Sequence, residues 1–132
     1  MKTNLHDIAV LRKEEWQNNE IVFDKDEALE IHGNEEEFVK ELAEMFLYDF
    51  SDQISLIKEA ITCHNSSDLE KAAHKLKGAV ANFGKNTVYK AALNLEMMGR
   101  ENRWDDVQEA YGSLTKEAER LIHALRKFVK SK

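Results

Sequence analysis

The 132-residue chain has no proline, only five glycines and a single cysteine. Proline costs a helix interior about 3 kcal/mol and glycine up to about 1 kcal/mol relative to alanine, so their scarcity suits long uninterrupted helices. Cys63 by itself cannot form an internal disulfide, and no basic-then-apolar leader follows Met1. Both features set the expectation of a reducing, cytoplasmic setting. The apolar runs are only a few residues long, far short of the roughly 20 that cross a bilayer. Basic residues are outnumbered, 19 against 25, and the formal charge of -6 argues against nucleic acid or an anionic membrane as the main partner. What is present is 42% hydrophobic and 33% charged residues, which fits one packed domain and excludes a multidomain enzyme. An all-α fold with protein partners is expected.

Helical periodicity is clearest in residues 34–63, where Val39, Ala43, Phe46, Phe50, Ile54, Ile57 and Ile61 recur at spacings of three and four. Asn34, with Glu37 three residues on, is the expected cap of this helix. Before it, a short helix from about Asp24 to His32 is expected, with Asp24 and Glu27 as a capping pair and Phe23 as a staple. The polar run Thr62 to Ser66 interrupts the pattern. Ser67, with Glu70, is expected to open a third helix carrying Leu69, Ala73, Leu76, Val80 and Phe83 and ending at Gly84. Asn86 caps a fourth, with Val88, Ala91, Ala92, Leu95 and Met98, for which Gly99 is the expected stop. The last stripe runs in heptads: Trp104, Val107, Tyr111, Leu114, Ala118, Leu121, Leu125 and Phe128.

Four stripes joined by short polar turns predict an antiparallel four-helix bundle over residues 21–132, because each stripe needs the others for burial. The heptad by itself would also suit a coiled-coil dimer. Residues 1–20, with Leu5, Ile8, Leu11 and Trp16, form an N-terminal extension compatible with a further helix or a tail.

The informative segment is Ala72-Ala73-His74-Lys75-Leu76-Lys77-Gly78-Ala79-Val80-Ala81-Asn82-Phe83-Gly84. At about 100° per residue, Leu69, Leu76, Val80 and Phe83 share one side, while His74, Gly78, Ala81 and Lys85 share nearly the opposite one. A glycine one turn after an exposed histidine costs helix stability and wants a reason. With no side chain at Gly78 and only a methyl at Ala81, another molecule can approach His74 closely, flanked by Lys75 and Lys77. An imidazole, open space and two cations suit a phosphoryl group passing through. Free imidazole titrates at about 6.5, so much of it is nucleophilic at cellular pH without a dedicated base. The plainer alternative is a solvated helix face that happens to carry a histidine.

The run His74-x-Leu76-Lys77-Gly78, followed by Gly84, resembles the signature of histidine-containing phosphotransfer (HPt) domains. The likeness extends from about Phe23 to the C-terminal helix, through Phe38, Phe46 and Leu95-Glu96. The resemblance implies a four-helix bundle that shuttles a phosphoryl group to and from receiver-domain aspartates. It implies that His74 carries the group on Nε2, that Lys77 offsets its charge, and that Glu96 hydrogen-bonds Nδ1. Gly78, with Lys75, Ala81, Asn82 and Lys85, would form the receiver docking face, and Gly84 would allow close packing or the turn. Many phosphorelay members have glutamine where Glu96 stands, and the carboxylate is closer to the kinase-fed phosphodomain of chemotaxis kinases. A carboxylate there fixes the tautomer and favours a positively charged ring. The plainer alternative for Glu96 is a solvated residue. The expected partners are receiver domains of response regulators or a hybrid sensor kinase, with Mg²⁺ on the receiver and no cofactor or metal on this chain, which the resemblance implies is a monomer. A phosphorylation-independent binding bundle is the alternative of another class.

None of the five histidines has a glutamate three residues before it, so a di-metal carboxylate bundle is not expected. His6, His32, His64 and His123 read as surface or cap residues, Cys63 as partly buried, Met97, Met98, Trp16 and Trp104 as packing, and Arg100 to Arg103 as a solvated turn.

Overall fold

The computed structural model describes residues 22–131. Among these there are five helices and no strand: α1 (Lys25–Ile31), α2 (Glu36–Thr62), α3 (Ser66–Val80), α4 (Thr87–Arg100) and α5 (Val107–Lys130), with a 3₁₀ turn at Ala81–Phe83. α2 packs on α3, α3 on α4, α4 on α5 and α5 back on α2, so the last four close into a bundle whose consecutive members are joined by short turns. The expected all-α four-helix bundle with an additional N-terminal helix is what forms. The expected stripes fill its interior, from Val39, Ala43 and Phe46 on α2 to Leu114, Leu121 and Leu125 on α5. The heptad stripe of α5 is buried within one chain, so it does not require a second copy. Residues 1–20, with Leu5, Ile8, Leu11 and Trp16, lie outside the described residues, apart from which no described helix is long and apolar enough to cross a membrane.

The caps differ from expectation at two places. Gly33 and Asn34 both have left-handed backbones, at φ +67 and +62, and the Asn34 amide donates to the Leu29 carbonyl at 2.7 Å. Asn34 therefore ends α1 and cannot cap α2, because an N-cap needs an extended backbone. α2 starts at Glu36, its N-cap Glu35 making no side-chain cap, and is helped by Glu36 and Glu37 in its first turn. At α3 the cap is Asn65, whose Oδ1 accepts from the Asp68 amide at 3.0 Å, and Ser67 is already inside the helix. Asp24 and Asn86 cap α1 and α4 as the sequence suggests.

Phe83 and Trp104 pack against the core as expected but lie outside the helices expected to carry them, and the burial of Cys63 is corrected. Phe83 leaves the α-helix for the 3₁₀ turn, where it meets Phe23 and Phe46. Trp104 precedes α5 and stacks on His64, with ring centroids 3.9 Å apart. Cys63 is exposed at the C-terminal cap of α2 and not partly buried.

Candidate functional site

The inner face of α3 is anchored by Leu69, Ala73, Leu76 and Val80, all fully buried. That leaves His74 on the outer face, where its side chain is 67% exposed. One ring edge is nevertheless held. Glu96 projects from α4 into the seam between the two helices, is only 2% exposed, and accepts a hydrogen bond from His74 Nδ1 at 2.8 Å. An ionised carboxylate has no proton to give, so Nδ1 carries the hydrogen and the lone pair lies on Nε2.

Lys77, one turn after His74 and 18% exposed, places Nζ 2.7 Å from Glu96 Oε1. Arg100 adds a third donor, from Nη2 to Oε2 at 3.1 Å. Burial pushes the Glu96 carboxyl up, but the hydrogen bonds and charges of Lys77 and His74 outweigh it and hold the pKa below its ordinary value. Glu96 is thus a buried carboxylate that stays ionised at neutral pH. The solvated alternative for it fails.

Around this cluster, the surface is open on one side. A Cβ built on Gly78 meets nothing within 4 Å. Helix phase puts Lys75 on the α2 side of His74 and Lys77 on the α4 side, as expected for two flanking cations. Lys75 lines a shallow groove with Leu56, Ala60 and Cys63. Ala81 and Asn82 are half-buried in the 3₁₀ turn, and the Asn82 carbonyl accepts from His32 Nε2 at 2.9 Å. His32 is accordingly a strut between α1 and this turn. Lys85 does not follow the helical wheel that grouped it with His74, because the α-helix ends at Val80. It lies beyond Gly84, with Nζ 5.8 Å from the centre of the Tyr89 ring. Gly84 has φ +106, and a Cβ there would come within 2.6 Å of the Glu27 carboxyl group. The backbone strain favours glycine, while the Glu27 carboxyl group, at the end of a flexible side chain, can move aside.

The sequence reading missed Arg100 and Glu70. Arg100 belongs to α4 and not to a solvated turn, and Gly99 does not stop the helix but is buried within it. The available signal was the four-residue spacing of Glu96 and Arg100, which puts opposite charges on one helix face.

No curated protein and no solved structure matches the chain. A family model, that of the Hpt domain, matches residues 41–127, a stretch that contains His74, Lys77, Glu96 and Arg100. With well over half of its length matched, the chain belongs to the Hpt domain family.

Proposed function

We propose that this chain is a phosphocarrier in which His74 accepts a phosphoryl group from a receiver phosphoaspartate and passes it to another receiver. The observation that carries this reading is the His74–Glu96 pair: a buried carboxylate on Nδ1 beneath an imidazole whose Nε2 faces outward. In the accepting step the Nε2 lone pair forms an N–P bond while the acyl P–O bond breaks and its electrons return to the receiver carboxylate. The Nδ1 proton stays in place, and Glu96 stabilises the cationic ring that results. Lys77, one turn after His74 on the same helix, supplies the cation that neutralises the incoming phosphoryl oxygens. Transfer of this kind is chiefly positioning and charge stabilisation, so the chain acts as a carrier and not as an enzyme with turnover of its own. Mg²⁺ belongs to the receiver in this scheme, and the chain holds no cofactor.

The docking surface centres on Gly78 and Ala81, with Lys75 at its edge. Phe38, Met45 and Leu56 are exposed apolar side chains on α2 that extend it. A transient interface below about 1,200 Å² is expected with a single copy of the chain in the cytoplasm.

One observation favours a second reading. The Nδ1 partner is a carboxylate, as in the kinase-fed phosphodomains of chemotaxis kinases, which are labelled by a kinase and ATP without an upstream receiver. The deciding experiment incubates the purified chain and His74→Gln with a phosphorylated receiver and Mg²⁺, and in parallel with a kinase and ATP. Acid-labile, base-stable label on the wild type from receivers establishes the carrier. Label from the kinase route only selects the second reading, and no label by either route leaves a binding bundle.

A further inference from the structure

Two side chains outside the His74, Lys77 and Glu96 cluster reach into it. Arg100 stands one turn after Glu96 on α4, donating from Nη2 to Glu96 Oε2 at 3.1 Å and from Nε to Glu70 Oε2 at 2.8 Å. Glu70 stands one turn before His74 on α3. The contacts run from Glu70 to Arg100 to Glu96 to His74, crossing the seam twice, with Glu70 and His74 on one helix and Glu96 and Arg100 on the other. Position 99 makes this chain of contacts possible: a Cβ on Gly99 would lie 2.6 Å from the Glu70 amide nitrogen and 2.8 Å from the Ser66 carbonyl oxygen. Backbone atoms cannot yield as a flexible side chain can, so glycine is what lets the first turns of α3 approach the end of α4. That approach sets Glu70 opposite Arg100.

Glu96 has three donors, divided unequally between its oxygens. Lys77 holds Oε1, while His74 and Arg100 share Oε2. A phosphoryl group on Nε2 is a strong competitor for Lys77, an ammonium on a flexible four-carbon stem. Once Lys77 turns away, a buried carboxylate with an empty Oε1 tends to rotate or to take up a proton. Arg100 is planar, permanently charged and gripped by two carboxylates, so it does not follow.

Building on the phosphocarrier reading above, we infer that Arg100, braced by Glu70, is a positioning residue that holds the Glu96 side chain aimed at His74 Nδ1 while Lys77 engages the phosphoryl group. The Arg100 side chain is 53% exposed, so its pair with Glu70 adds little to folding, and its effect lies in the geometry of Glu96.

The test uses the full chain with Arg100→Gln, Arg100→Lys and Glu70→Gln. With phosphorylated receiver at saturation, Arg100→Gln is expected to lower the single-turnover rate constant for labelling of His74 about tenfold while the half-saturating receiver concentration stays within about twofold. Glu70→Gln is expected to do the same more weakly, and Arg100→Lys to recover part of the loss, since an ammonium keeps the charge but cannot span both carboxylates. Nitrogen NMR of His74 in the unphosphorylated chain supplies a readout that simple destabilisation does not move: Arg100→Gln lowers the fraction protonated at Nδ1 relative to Nε2. A rise in the half-saturating receiver concentration with the rate constant intact would make Arg100 a receiver contact and overturn the inference. So would an unchanged tautomer ratio. If the wild type takes label by no route, the phosphocarrier reading fails on its own, and the tautomer ratio still decides whether the brace exists.

Discussion

The two faces of α3 divide the work of one helix. Its inner face, Leu69, Ala73, Leu76 and Val80, is fully buried and carries no polar group. Its outer face presents His74 and Gly78 to solvent, with Lys77 and Glu70 turned toward α4. The first is built for stability, since each large buried aliphatic side chain contributes about 1.5–3 kcal/mol. The second spends stability, because Gly78 sits in the last turn of α3 against open space and costs up to about 1 kcal/mol relative to alanine. A rigid inner face lets the outer one carry exposed chemistry without losing its geometry.

That division can be broken by exchanging effects between the faces. His74→Gln is the most severe change for function: label is expected to vanish, while the urea unfolding midpoint shifts by less than about 0.5 kcal/mol equivalent. Leu76→Ala on the opposite face should do the reverse, losing about 2–5 kcal/mol in denaturant unfolding while each folded molecule still accepts label. If His74→Gln unfolds the chain, or Leu76→Ala spoils transfer in the folded fraction, the two faces are not separable.

Glu96 joins the faces, and pH sharpens its role. Its carboxyl is held below the ordinary value, so the stability it contributes is fully present above the unfolded pKa of about 4.3 and is lost as pH falls through the folded pKa. Glu96→Gln should therefore be less stable at pH 7 by about 1–3 kcal/mol, and its loss of stability below about pH 4.3 should be shallower than that of the wild type. Urea midpoints measured across that range check both slopes. Equal slopes would mean that the carboxylate is not ionised by its partners in the fold.

The smallest expected effect has the opposite sign. Gly78→Ala should stabilise the chain by about 0.5–1 kcal/mol and slow label transfer from the receiver, because a methyl fills the approach to His74. Gly84→Ala is its control: with φ +106 and the Glu27 carboxyl against it, a methyl there should destabilise. Thermal unfolding of the two variants side by side separates a glycine kept for access from one kept for backbone shape.

Much of this was legible in the residues. Helix periodicity placed the stripes, and the phase of α3 put His74 outside and Leu76 inside, because one chain segment determines both. Asn65 was missed as a cap since four short polar residues in a row offered competing caps, and the choice depended on where the preceding turn released the backbone. Lys85 was misplaced because a wheel continues past Val80 although the chain does not: Phe83 tightens into the 3₁₀ turn to reach Phe23 and Phe46. Arg100 was read as part of a turn because Gly99 beside it is an ordinary stop signal.

The fold class, the paired faces of each helix and the histidine that stands exposed follow from local periodicity and from the cost of burying polar groups, so the residues alone carried them. What stands across the seam came from the packing of the helices on one another. The burial of Glu96, its division among His74, Lys77 and Arg100, and the Gly99 contact with the start of α3 all depend on two helices meeting at one depth and register. Periodicity along either helix sets which side faces its partner, but not which residue it meets there.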